Sequence, residues 1–354
     1  MYIKLPIFSK EKRRFLNDIK SIARASLIDV EFYQRNYPGD YNGVSEVVKH
    51  YIDHGARKGH NPHPLFDTKY YLDKNPDVLA SAINPLVHFV QRGAKERKNP
   101  HPLFDVNYYI ETNPDVASSG INPLTHFIEF GAGEKRNPHP LFDTDYYIST
   151  NPDVASSGVN PLIHFICNGA KERRNPHRLF DVSYYLTKNP DILDSGVNAL
   201  IHYVEHGAME HRNPHLLFDT TFYVGRYLNP LDSRINPLIH YLQNYKTKLL
   251  NPHPLFDTIH YKASIAEVVS DSLSPLEYYL ENGPGADGNP NQYFDSIWYA
   301  CHNMESSNTY MNPLMHYIAI GEFEKKNPSP RFDVDWYLRC YLDVKRAGTS
   351  PLSH

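Results

Sequence analysis

The chain has 354 residues, a formal net charge of −4 and 41% hydrophobic residues, enough for two or three ordinary globular domains. No apolar run approaches the roughly 20 residues of a membrane-spanning helix, and the N-terminus lacks the apolar core of a signal peptide. Cys167, Cys301 and Cys340 stand at unrelated points without a Cys-x-x-Cys spacing, which excludes a disulfide scaffold and favours reduced thiols in a cytoplasm.

Residues 1–27 carry seven Lys and Arg against Glu11 and Asp18, a net +5 that leaves −9 for the rest of the chain. Phe8, Phe15, Ile19 and Ile22 fall near helical spacing. Two readings follow: a capping helix over the first repeat, as solenoid ends need, or a basic amphipathic helix on an acidic membrane surface.

From Ile28 onward one pattern returns every 38 residues without a slip. Phe-Asp starts a copy at Phe66, Phe104, Phe142, Phe180, Phe218, Phe256, Phe294 and Phe332, and Ile28-Asp29 is a ninth start with the Phe replaced. Counting the Phe as position 0, position 1 is Asp and position 5 is Tyr in all nine copies. Positions 33 and 34 are Asn-Pro in the eight complete copies. The copies from Phe66 to Leu217 are the most alike, and those starting at Phe218, Phe256 and Phe294 drift.

Each copy reads as two or three short helices. Asp143 is a predicted N-cap, and Pro152 stops the helix after it. In "NPDVASSG", Asn151 is a predicted cap, Pro152 the first helical residue and Gly158 the end. In "INPLTHFIEFGA", Asn122 caps, Pro123 opens the helix, Leu124, Phe127 and Ile128 form its apolar face, and Gly131 suits the C′ position. One such unit cannot bury its own apolar face, whereas stacked units share a core. The expectation is therefore all-α: an α-solenoid over 28–354, with eight complete repeats and a truncated ninth. The chain stops at His354, at position 22 of the last copy and within its helix, which reads as a fragment or truncated product of a longer protein.

No Walker A, dinucleotide-binding, HExxH or GxSxG motif is present, and "ENGPGADGNP" (Glu281 to Pro290) reads as a degenerate turn rather than a phosphate cradle. A set of residues repeated in every copy argues against catalysis, which needs one preorganised geometry. The sharpest feature is position 22, histidine in eight of nine copies and Tyr278 in the other. On a helical wheel it lies opposite the leucine face, at roughly 200°. One reading is a bond to a backbone group or to the position-1 Asp of an adjacent layer. The other is a ladder of exposed, aligned rings (His88, His126, His164, His202, His240) for a polyanion or metal. A second histidine set, His63, His101, His139, His177, His215 and His253 at position 35, lies in a Pro-flanked turn and is expected to be exposed. The 13-residue separation of the two sets is not a local ligand motif, so no metal or other cofactor is expected. The invariant position-5 Tyr is the core candidate, while Tyr70, Tyr108, Tyr146 and Tyr184 at position 4 are the candidate surface aromatics. The net negative repeat region argues against nucleic acid.

The stretch "FDTDYYISTNPDVASSGVNPLIHFICNGAKERRNPHRLFD" resembles a repeat of the pattern FDxxYYLxxNPDVxxxGxxPLxHYxxxGxxExRxPxPLFD. That repeat occurs beside glycosyltransferase domains, including rhamnan-synthesis-type ones, in bacterial surface-polysaccharide proteins. The resemblance covers Ile28 to His354, and it implies a bacterial protein tied to capsule or O-antigen synthesis. No catalytic domain matches, so no catalytic residue carries over. Three functional expectations result. The first is a non-catalytic scaffold that holds a glycosyltransferase domain or a glycan chain, in the cytoplasm at the inner face of the membrane. The second is a fragment of a glycosyltransferase whose catalytic domain lies outside this chain. The third is a free-standing peptide-binding repeat protein.

Overall fold

The computed structural model describes residue 22 and residues 27–229, 235–265, 273–282, 288–305 and 311–354. Phe8, Phe15 and Ile19 of the expected N-terminal helix and the centre of the "ENGPGADGNP" stretch lie outside the described residues, while Ile22 and Leu27 are fully buried. The described residues form short helices and, apart from them, only isolated bridges such as that between His101 and Phe104. None of these helices is long and apolar enough to cross a membrane. The chain divides into two compact units, Met1–His177 and Arg178–His354, and each is a stack of helical repeats, as expected of an α-solenoid.

The repeat from Phe104 serves for all. Its α1 is Val106–Thr112, its α2 Pro114–Ser119 and its α3 Pro123–His126, which runs on into one wider π turn, Phe127–Gly131. The position-1 carboxylate starts α1: Asp105 accepts from Tyr108 N at 3.0 Å, and Asp143 does the same for Tyr146 in the next copy. Gly120 and Gly158 end α2 in the left-handed region, at φ 71° and 69°, a conformation that costs a residue without Cβ nothing. Asn122 caps α3 by accepting from Leu124 N and Thr125 N.

Two predicted devices act differently. Asn113 and Asn151 do not cap α2 with their side chains; each donates Nδ2 back to the carbonyl of the position-5 tyrosine, at 2.7 and 2.8 Å. Gly131 does not close α3 at C′ either. It sits buried inside the π turn, and a Cβ there would lie 2.1 Å from the Tyr109 hydroxyl. A Cβ at Gly93, Gly169, Gly207 or Gly321 would likewise lie 2.0 to 2.1 Å from the hydroxyl of the corresponding tyrosine. The residue that turns left-handed after the helix is instead position 31: Arg97, Lys135, Arg173, His211 and Lys325, with φ between 54° and 60°.

Each of the seven repeats that start from Phe66 to Phe294 buries an aromatic triad. Phe104, Tyr109 and Phe127 pack with ring centroids 5.4 to 5.8 Å apart, the last pair edge to face. All three are fully buried, and the same triad recurs at Phe66, Tyr71 and Phe89. Such contacts add about 1 kcal/mol per pair beyond the area they bury.

Layers are joined by a backbone bond that repeats with the period. Asp67 N donates to Pro100 O at 2.9 Å, Asp105 N to Pro138 O and Asp143 N to Pro176 O at 3.0 Å. The same bond continues in the second unit from Asp181 N to Pro214 O. The Asn before that proline accepts from the first N–H of the following α1, as Asn99 Oδ1 does from Val106 N at 2.9 Å. Asn-Pro is thus a stop for one layer and a cap for the next. Within the second unit the stack also winds back on itself: Arg178 Nε and Nη2 lie 2.7 and 2.6 Å from Glu281 Oε1, joining residues 103 apart.

The Gly131 notch is testable by urea denaturation. Gly131→Ala is expected to lower the unfolding free energy by about 2 kcal/mol, and Tyr109→Phe in the same chain to recover part of that loss by removing the clashing hydroxyl.

Candidate functional site

The position-22 histidines share the same partner in every copy that carries them. His88 Nδ1 meets the Tyr71 hydroxyl at 2.9 Å, His126 that of Tyr109 at 2.9 Å, and His164 that of Tyr147 at 2.9 Å. His202 with Tyr185 (2.9 Å) and His240 with Tyr223 (2.8 Å) continue the series in the second unit. The partner is neither a backbone group nor the position-1 Asp of an adjacent layer. It is the core tyrosine of the same repeat, 17 residues earlier. The rings are not an exposed ladder: His88 and His126 are buried, and His164, His202 and His240 are half-buried. The helical wheel misplaces them because it allows α3 one buried face. In the stack α3 packs against both α1 and α2 of its own repeat, so the face opposite the leucines is covered as well.

Burial sets the protonation of the pair. It pushes the Tyr71, Tyr109 and Tyr147 hydroxyls far above the ordinary tyrosine value, so they remain protonated. It lowers His88, His202 and His240 below the ordinary imidazole value, which keeps those rings neutral. His88 Nε2 and His202 Nε2 lie 3.9 and 4.0 Å from Glu96 and Glu210, an arrangement suited to the Nε2–H tautomer with Nδ1 accepting from the tyrosine. A protonated phenol on a neutral imidazole is a strut.

The next polar set is a clamp at the rim of each layer. Arg136 donates Nη1 to Asn113 Oδ1 (3.0 Å) and Asp115 Oδ1 (2.7 Å), and Nε to Glu134 Oε2 (2.6 Å). Arg174 holds Asn151, Asp153 and Glu172 in the same way, and Arg212 holds Asn189, Asp191 and Glu210. The hydrogen bond from Arg174 pulls the Asp153 carboxyl down to about 2. The Asp and Arg of "NPDV…GxxExR" are therefore one device, 21 residues apart.

The connector histidines are buried, against the expectation of exposure. His63, His101, His139, His177 and His215 are each about 95% inaccessible. The Nδ1 atoms of His63, His101 and His139 accept from Leu65 N, Leu103 N and Leu141 N at 3.0 to 3.1 Å. The turn lies inside the stack because its leucine, fully buried in Leu65, Leu103 and Leu141, is part of the core shared by adjacent layers.

The candidate surface aromatics are half-buried. Tyr70, Tyr108, Tyr146 and Tyr184 lie along α1, and burial raises the Tyr108 and Tyr184 hydroxyls, which bond Asn137 and Asn213 of their own connectors. Among the described residues no group of three His, Cys, Asp or Glu is arranged to hold a metal ion.

Two clefts in the first unit occupy equivalent places, between α3 of one repeat and α2 of the next. One is lined by Ile52, Leu72, Leu79 and Ile83, the other by Val90, Ile110, Val116 and Ile121. Neither lining includes a position-22 histidine or a position-4 tyrosine. Comparison with protein-family models, curated proteins and solved structures gave no match to this chain.

Sequence reasoning missed the Gly notch and the Arg clamp as partners of known positions. The sequence carries a signal for both: Gly stands at position 27 in seven of the eight complete copies, and Glu-x-Arg/Lys at positions 30 and 32 in five. The copy lacking the histidine provides a test. There Tyr278 stands at position 22, and the buried Tyr261 hydroxyl has no partner. Tyr278→His is expected to raise the unfolding free energy by about 1 kcal/mol, read as a higher Tm. His164→Ala, which strands the Tyr147 hydroxyl, is expected to lower it by about 2 kcal/mol.

Proposed function

We propose that this chain is a non-catalytic helical-repeat scaffold that serves bacterial surface-polysaccharide glycosyltransferases by holding a protein or glycan partner. The observation that supports it is the fate of the recurring polar side chains. The Asp, Tyr, His, Asn and Arg that return with the period bond within their own layer or to the next. Residues engaged in this way build a frame, and a frame repeated with this regularity presents equivalent surfaces at fixed intervals. The resemblance of the repeat to those found beside glycosyltransferase domains supplies the biological setting. In this reading the basic residues of 1–27 bring the chain to an anionic membrane surface at the cytoplasmic side.

A peptide partner has its own support. The two clefts combine aliphatic side chains with Asp53 and Arg57 in one and Lys95 and Arg97 in the other, and no aromatic ring lines them on which a sugar could stack, so they suit a peptide of mixed apolar and charged side chains better than sugar rings.

The test is a binding titration of the purified chain against capsular and O-antigen polysaccharides and against purified surface-polysaccharide glycosyltransferases, with sugar-nucleotide turnover followed in parallel. Saturable binding without turnover is expected, unchanged in a folded His126→Ala/His164→Ala variant. Sugar transfer by the chain alone would reject the scaffold reading. Binding only of peptides would favour the second.

A further inference from the structure

The buried connector histidines are used by neither the repeat frame's Tyr–His struts nor its rim clamps, and they share one geometry. In five of the six connector histidines, four of them buried and His253 half-buried, Nδ1 accepts from the backbone N–H two residues on: Leu65, Leu103, Leu141, Leu217 and Leu255. An imidazole can accept there only while Nδ1 is unprotonated; the imidazolium has two donors and no acceptor. The accepting bond closes the tight turn between two prolines or between proline and leucine, at the point where adjacent layers join.

We infer that these histidines form an acid-released latch: protonation of a ring removes the acceptor that holds the leucine N–H and opens that connector, while the helices on either side stay formed.

The charges that reach the rings are few. Asp29 faces His63, Asp105 faces His139, Asp181 faces His215 and Asp219 faces His253, each favouring protonation. Neighbouring connector histidines oppose it: His63 and His139 act on His101, His177 acts on His139, and His215 acts on His253. Burial outweighs both and lowers His63, His139, His215 and His253 to about 4 from an ordinary 6.5. A connector that opens regains the ordinary value. The closed form is therefore fully favoured above pH 6.5 and loses ground as pH falls toward 4.

The chain contains its own control. At the seventh connector Asn291 replaces histidine, and its Oδ1 accepts from Tyr293 N at 2.9 Å in the same geometry. Its Nδ2 donates to Leu255 O at 2.9 Å. Asparagine does not titrate, so that connector is not acid-released.

The experiment is amide hydrogen exchange on the full chain at pH 7 and pH 5.5, each corrected for intrinsic exchange. The Leu65, Leu103, Leu141, Leu217 and Leu255 amides are expected to open about tenfold more at pH 5.5, the Tyr293 amide and the α1 amides of Tyr109 and Tyr147 to stay unchanged. His139→Asn is expected to abolish the change at Leu141 and leave it at Leu103 and Leu217. Should that variant fail to fold, His215→Asn makes the same test at Leu217. Retained acceleration at the substituted connector, equal acceleration at Tyr293 or in α1, or no acceleration at any connector would each overturn the latch.

Discussion

The hydrogen bond between the position-5 tyrosine and the position-22 histidine is the constraint around which eight of the nine copies are organised. In the copy from Phe142, α1 has seven residues and α3 four before its π turn, both far below the length at which an isolated helix holds in water. The Tyr147–His164 bond ties the two together across 17 residues and fixes where the tyrosine ring enters the core. That entry point sets the rest. The hydroxyl needs the space over Gly169, and the ring supports Phe142 and Phe165 on its edges. Tyrosine serves here because it brings a large apolar ring and one polar end, and the histidine satisfies that end where water does not reach.

Adjacent layers meet at the connector. A backbone bond from Asp N–H to Pro carbonyl, an Asn cap on the next α1 and the buried leucine of the connector make the junction. Because each contact runs to the neighbouring layer, stability is a sum of repeat and junction contributions, and weak junctions open locally. The rim clamps add order more than energy: Asp115 and Glu134 are more than half-exposed or nearly so, and ion pairs in water are worth little each.

The drifting copies show which features travel together. Where Tyr245 replaces the glycine, the helix Pro237–Asn244 is a regular α-helix without the π turn, yet the Tyr223–His240 bond survives. Where Ser274 replaces the Asn cap, Glu277 appears three residues on. Ser274 N then donates to Glu277 Oε2 and Glu277 N to Ser274 Oγ, the reciprocal capping box. Substitution at a cap is thus compensated within a few residues. Loss of the histidine at Tyr278 is not, and it leaves the buried Tyr261 hydroxyl without a bond.

The sequence by itself determined the period, the all-α class, the caps at Asp143 and Asn122, the helix end at Gly158 and the burial of the position-5 tyrosines. These are local or periodic facts: a cap acts within three residues, and an aromatic position that never varies among stacked copies packs into the core they share. Only the tertiary structure decided what the histidines do. His126 and Tyr109 are 17 residues apart on different helices, Arg136 and Asp115 are 21 apart, and no helical or strand period relates either pair. A wheel assigns one buried face to a helix, whereas α3 is covered on two. A proline turn reads as surface, whereas the stack folds His101 and Leu103 into its interior. Burial of a polar ring depends on what packs over it, and that partner is chosen by the meeting of helices rather than by spacing along the chain.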